Sequence, residues 1–368
     1  MILGRKSWVF GSLAVGLAAV VPIAAPGPAG AAGLSGRVID GRLTGVAATS
    51  ARDAWAVGSD FNSGRGNVLL LRWNGRAWSK VQSPDESTGF LNAVAAESAS
   101  DAWAVGGTNS GKTFIVHWNG RSWRRVPSPS PGKGDTLDAV TATSAGNAWA
   151  IGSTGNAHTL MERWNGRSWR VVANPAKAAD DFLFGVAATS ARNAWAVGYT
   201  HGLKALILHW NGRTWKPVTD PGLRINFAHL LAVTATSASD AWAVGNAGAD
   251  ETLALHWNGK SWKRMPSPTP AGGGLLLGVA IRSATNVLAV GENASDNPDT
   301  LSMRWNGHTW RRLPTPSPGP RQDHDASLSA VAEVSATDAW AVGTCDGATA
   351  SLILRWNGRS WKRVASPS

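Results

Sequence analysis

Cysteine, tyrosine and acidic residues are scarce in this 368-residue chain. The single cysteine, Cys345, excludes an intramolecular disulfide, so the fold must hold by buried apolar surface alone. The single tyrosine, Tyr199, excludes any site that needs two phenols. Asp and Glu number 24 against 35 Lys and Arg, for a net charge of +11. After the first 32 residues no apolar run approaches the roughly 20 residues that span a bilayer as a helix. Helical periodicity is absent from the same region.

The N-terminus reads as a secretory leader. Arg5 and Lys6 come first, an apolar stretch from Trp8 to Ala25 follows, and small residues lie at Ala29-Gly30-Ala31. That order predicts a signal peptide over residues 1–32, cleaved near Ala31 or Ala32, and a secreted protein. The Arg5-Lys6 pair leaves Sec and twin-arginine export both open. With no Cys after the cleavage site, a lipoprotein anchor is not expected.

What the chain has in excess is tryptophan, 21 residues of it, and a repeat explains them. Trp-Asn-Gly begins at Trp73, Trp118, Trp164, Trp210, Trp257, Trp305 and Trp356, at spacings of 45, 46, 46, 47, 48 and 51 residues. Upstream of each lies Ala-Trp-Ala-Val-Gly or a variant, with Trp55, Trp103, Trp149, Trp195, Trp242 and Trp340; the sixth copy has Leu288 instead. Five residues after each Trp-Asn-Gly tryptophan comes a third: Trp78, Trp123, Trp169, Trp215, Trp262, Trp310 and Trp361.

Each copy reads as four short strands with period-two alternation and turn residues between them. Repeats of about 45 residues with four strands are propeller blades. The expectation is therefore all-β: a seven-bladed β-propeller over residues 43–368, after a lead-in at 33–42. The blades fall near 43–84, 91–129, 137–175, 183–221, 231–268, 276–316 and 328–368. Basic fourth strands, such as Arg124-Arg125 and Lys263-Arg264, belong on the outer rim. Since each end of the chain supplies a whole blade, the ring should close by packing blade seven on blade one. A short strand at residues 36–40 completing a blade is the other option.

The Trp-Asn-Gly-x-(Ser/Thr)-Trp hairpin, as in Trp210 to Trp215, resembles the hairpin of BNR or Asp-box propellers, with Asn in place of their Asp. The Ala-Trp-Ala-Val-Gly strand looks like that of photosystem II stability factor propellers, and Kelch and galactose-oxidase central domains are similar. The resemblance implies architecture more than activity, because this fold hosts many functions. Sialidases of this kind would need an arginine cluster around a tyrosine nucleophile, and no such motif surrounds Tyr199. Galactose oxidase would need two tyrosines, one crosslinked to Cys at copper.

Residues repeated in every blade must meet a need common to every blade, so the tryptophans are read as inter-blade packing. The Asp or Asn before each second strand (Asp53, Asp101, Asn147, Asn193, Asp240, Asn286, Asp338) is read as bonding its own turn backbone, not as a metal ligand. The cations of the third-to-fourth-strand hairpin (Arg76, Arg121, Arg167, Arg213, Lys260, Arg359) form a belt. It either solvates an exposed edge or attracts anionic envelope polymers.

The short, nearly identical turns define one face of the ring. The loops between strands two and three and between blades define the other, and function is expected there. Candidate ligand contacts are Asp60, Asn62, His158, Tyr199, His201, Arg224, His229, Glu292, Asp323 and His324. No catalytic residue, cofactor or metal is assigned. The expected role is a secreted, monomeric binding propeller for extracellular glycan, an anionic envelope polymer or a partner protein, not nucleic acid. The alternative is a polysaccharide hydrolase or lyase using carboxylates of that face.

Overall fold

The computed structural model describes residues 39–61, 67–85, 89–176, 178–218, 227–248, 250–294, 299–316, 325–345 and 350–367. The leader predicted for residues 1–32 lies outside them. Among the described residues, 28 strands form seven sheets of four, one sheet per repeat. The protein is a seven-bladed β-propeller.

Blade one shows the pattern. Its strands are Gly41–Ser50, Asp53–Asp60, Asn67–Trp73 and Trp78–Lys80, antiparallel and in that order across the sheet. The second strand is buried along its whole length, which explains its small and apolar composition: both of its faces meet protein. The fourth buries Trp78 and exposes Ser79 and Lys80. The seven first strands touch one another in a closed cycle and so form the innermost ring.

Sequence fixes the hairpin before the fourth strand locally. Trp73 and Trp78 are paired across it, so the loop is the four residues between them. Asn74 Oδ1 accepts the backbone N–H groups of Arg76 and Ala77 at 2.9 and 3.0 Å. Gly75 sits at φ +92°, a conformation that glycine adopts without steric cost. All seven copies repeat this arrangement.

Three tryptophans make six of the seven joints between blades. Trp55 of blade one lies 4.9 Å from both Trp118 and Trp123 of blade two, edge-on to the latter. Such tilted and edge contacts suit the quadrupoles of aromatic rings. The closing joint is built in the same way: Trp340 of blade seven lies 4.8 Å from Trp73 and 5.0 Å from Trp78 of blade one. Each blade keeps its own four strands, so packing closes the ring. Of the lead-in, residues 39–42 are described: Gly41 and Arg42 already belong to the first strand of blade one, and Ile39 and Asp40 precede it. They add one bridge to Ala350 and a 3.2 Å bond from the Ser351 N–H to the Ile39 carbonyl. The joint between blades six and seven departs, because Leu288 stands where the tryptophan would be. There the Trp361 indole N–H donates to Ser302 Oγ at 3.1 Å.

The reading of the Asp or Asn at the start of each second strand needs correction. These side chains do not bond the backbone of their own turn; four of them bond the threonine side chain four residues earlier, as Thr49 Oγ1 donates to Asp53 Oδ2 at 2.7 Å. Instead they pair with the Arg or His on the third strand, one residue before Trp-Asn-Gly. Asp53 takes Arg72 at 2.9 Å, Asp101 takes His117 at 2.7 Å, and Asn193 takes His209 at 2.7 Å. The turn backbone is held instead by the preceding serine, as where the Arg52 N–H donates to Ser50 Oγ. The cation is used twice, since the Arg72 guanidinium lies 5.0 Å from the ring centres of both Trp55 and Trp118. The Asn side-chain oxygen can accept from the same Arg as an Asp oxygen does, though without the carboxylate's charge, so both residue types serve at this position.

Candidate ligand-binding site on the loop face

The sequences of the variable loops differ, yet four joints share one backbone clasp. The segment leading into a blade donates an N–H to the second-to-third-strand loop of the preceding blade. The bonds are Gly134 to Gly111 (3.0 Å), Asp180 to Ala157 (2.9 Å), Ala228 to Leu203 (2.9 Å) and Gly274 to Asp250 (2.6 Å). The accepting residues all have positive φ: Gly111 +71°, Ala157 +56°, Leu203 +55° and Asp250 +62°. Three of them are not glycine. A left-handed residue with a Cβ costs roughly 1–2 kcal/mol, against about 0.5–1 kcal/mol for the extra freedom of glycine. Ala157→Gly is therefore expected to stabilise the protein by about 0.5 kcal/mol. A denaturant midpoint that falls on this substitution would contradict the clasp.

Above this scaffold, blades four and five bring aromatic rings together. Phe182 and Tyr199 are cross-strand partners. Phe184 sits at the irregularity between Leu183 and Gly185. Its ring lies 6.1 Å from Phe182 and 5.6 Å from Tyr199, nearly parallel to each. His229, from the first strand of blade five, places its ring 4.4 Å from Tyr199. Burial lowers the pKa of His229, so its imidazole is neutral at pH 7, and both of its nitrogens are buried without a partner. Burial, and then the charge of Asp180, raise the pKa of Tyr199, which keeps it a phenol and a hydrogen-bond donor. At the rim, His201 Nδ1 lies 3.2 Å from Asp180 Oδ2 with both groups exposed, while the His201 N–H donates to Asp181 Oδ1 at 3.1 Å.

The irregularity holding Phe184 recurs in every first strand. Its occupants are Thr44, Asn92, Asp138, Phe184, Leu231, Leu277 and Ser329, all half-buried. They lie where neighbouring first strands meet: Thr44 Oγ1 donates to the Leu91 carbonyl at 2.8 Å, and Asn92 Nδ2 to Asp138 Oδ1 at 3.2 Å. Around the ring the set divides. Blades seven, one, two and three supply polar groups; blades four, five and six supply Phe and Leu. The mouth is therefore apolar on one side and hydrogen-bonding on the other. Burial pushes the Asp138 carboxyl up to about 7, against the opposing bond from Asn92. Glu292 on blade six is likewise raised to about 7, by burial and by the charge of Asp325.

Of the sequence candidates, Tyr199 and His229 are in ring contact, and His201 lies at the rim against Asp180 and Asp181. Asp60 does not join them: it is buried at the end of a strand and paired with Lys80 at 3.0 Å. Tyr199, read as a loop residue, is also a buried strand end. His158 is exposed on blade three, and its carbonyl closes a loop onto the Thr154 N–H. Asn62, Arg224, Asp323 and His324 lie outside the described residues. Phe184, Asn92 and Asp138 were missed. Aligning the first strands at the residue before their Gly or Ala would have found them. Cys345 is buried at a strand end, near Arg363. Among the described residues, no three His, Cys, Asp or Glu side chains converge as metal ligands, and no helix is long and apolar enough to cross a membrane.

The fold and the ring of first-strand residues define a propeller whose inner ring is apolar on one side and polar on the other. The sequence matches no protein family and no curated protein. Solved structures are similar in fold. YCF48 from Cyanidioschyzon merolae is 16% identical, with 87% of this chain and 96% of that one covered at a TM-score of 0.55. The BP39L lectin from Burkholderia pseudomallei is 14% identical, with 90% and 100% covered at 0.59. The GH74 xyloglucanase from Xanthomonas campestris is 15% identical, with 89% and 54% covered at 0.63. Identities this low establish the shared propeller and nothing finer.

Proposed function

We propose that this is a secreted, non-catalytic propeller that binds an extracellular glycan at the loop-face mouth. The division of the mouth into an apolar and a polar side carries the reading. A sugar ring has one apolar face and a hydroxyl-bearing edge. Phe184 and Phe182 offer a surface for the former; Tyr199, Asn92 and Asp138 offer donors and acceptors for the latter. A lectin among propellers of similar fold supports the reading without deciding the sugar. Leader residues 1–32 support export.

Titration of purified protein against cell-wall fragments and a polysaccharide array tests it. Phe184→Ala is expected to weaken the best binder about tenfold, because an aromatic contact contributes roughly 0.5–1.5 kcal/mol beyond its buried area. No binding by the wild type to either ligand set would remove the proposal. The raised carboxyls of Asp138 and Glu292 favour the second reading, a polysaccharide hydrolase or lyase. Release of sugar ends by the wild type, abolished in Asp138→Asn with an unchanged melt, would replace the first reading with the second.

A further inference from the structure

The face opposite the mouth has a charge pattern that the scaffold does not require. It is built from fourteen turns, two per blade. The seven hairpins before the fourth strands each present one residue at the same place. Six are Arg76, Arg121, Arg167, Arg213, Lys260 and Arg359, and the seventh is His308. All seven are exposed. The turn uses only the backbone N–H of this residue, bonded to the Asn side chain, so the charged head has no part in the fold. Among the described residues, none of the six heads forms an ion pair. Arg52 and Arg192 add two cations from the turns between first and second strands, and the fourteen turns contain no Asp or Glu.

The carboxylates nearby are mostly spent. Asp53, Asp101, Asp240 and Asp338 are tied to Arg72, His117, His256 and Arg355. Glu333 is half-buried and takes a bond from Asn286, while Glu97 is exposed. The face is thus strongly positive, and the field of such a face draws anions.

We propose that this face docks an acidic polysaccharide, one bearing uronate, sulfate or phosphate on its repeating unit. The cations are single and a blade apart, so they do not converge on one small anion. A polymer with repeated charges can engage several at once. The turns present Asn, Gly, Ser and Thr around each cation, while most of the tryptophans beside them are buried. Bases would have little to stack on, which disfavours single-stranded nucleic acid. Among the described residues, the exposed large apolar side chains, Phe61, Val171 and Phe227, lie outside these turns. Nothing on the face would enter a lipid surface.

The test uses immobilised heparin as the probe and full-length mature protein. Wild type should bind, and the affinity should fall steeply with NaCl. Arg76, Arg121, Arg213 and Arg359 changed together to Gln should bind at least about tenfold more weakly, with the log–log salt slope reduced by roughly 0.7–0.9 per cation lost. An equal loss of charge on the opposite face, at Arg42, Lys112, Lys133 and Lys204, should leave heparin binding within about twofold. Thermal melts of both variants check folding. Equal losses in the two variants would show that net charge acts without regard to face, and wild-type affinity in the first would show that the ring of cations is solvation only; either overturns the proposal. Array binding at the mouth, weakened by Phe184→Ala, is read separately, so the two sites stand or fall independently.

Discussion

Glu162→Leu is expected to stabilise the protein, and the gain should grow with pH. Glu162 sits on the third strand of blade three with no exposed surface, and both carboxyl oxygens lack a hydrogen-bond partner. The other six blades place Leu71, Val116, Leu208, Leu255, Met303 and Leu354 at this position. Burial, and then the charge of Asp135, push its pKa from 4.5 to about 8. In the unfolded chain it ionises near 4.5; in the fold it keeps its proton until about 8. Between those values the folded state holds one proton more than the unfolded state. Stability therefore falls as pH rises through this window, by about 1.4 kcal/mol per pH unit and about 5 kcal/mol in all. At pH 7 the wild type has lost about 3 kcal/mol that a leucine would keep. Denaturant melts of both proteins at pH 5, 7 and 9 check this. A difference between them that does not change with pH would show that Glu162 is ionised in the fold and has an unseen partner.

Glu162 also shows what a repeat makes legible. The four strands of each blade and the Trp joints follow from aligning seven copies, because each is a need that all blades share, whereas ring closure had two readings in the sequence, packing or a short strand at residues 36–40. The cation partner of Asp53 was hidden because it lies on another strand, 19 residues away at Arg72. Only the register between the second and third strands brings the two together. The clasp at Ala157, Leu203 and Asp250 was hidden because positive φ is read from glycine, and these residues are not glycine. The binding mouth was half visible. Tyr199, His201 and His229 stand out as rare residue types in variable segments, whereas Phe184 and Asp138 sit inside strands that look like scaffold.

Trp340→Ala should cost about 3–5 kcal/mol, the range for removing a large buried aromatic side chain. Trp340 has no exposed surface and contacts two indoles across the closing joint. It also lies 4.9 Å from the Arg355 guanidinium, which in turn bonds Asp338 and reaches the Ala51 carbonyl of blade one at 3.4 Å. Removing the ring empties the centre of that stack. Trp195→Ala, in the joint between blades four and five, should cost a similar amount in global unfolding, because its burial and contacts match. Local opening should separate the two. Blades four and five remain linked in sequence when their joint loosens, while blades seven and one sit at opposite ends of the chain. Trp340→Ala should therefore speed hydrogen exchange in blades one and seven beyond its effect on global stability, and Trp195→Ala should not do so in blades four and five. Leu288 shows that one joint can do without its tryptophan when a neighbour adapts, there with Ser302 accepting the Trp361 indole. At the corresponding place in the closing joint stands Ile353, which offers no such acceptor. A melt of Trp340→Ala within about 1 kcal/mol of the wild type would mean that the ring is held shut mainly by contacts other than this stack.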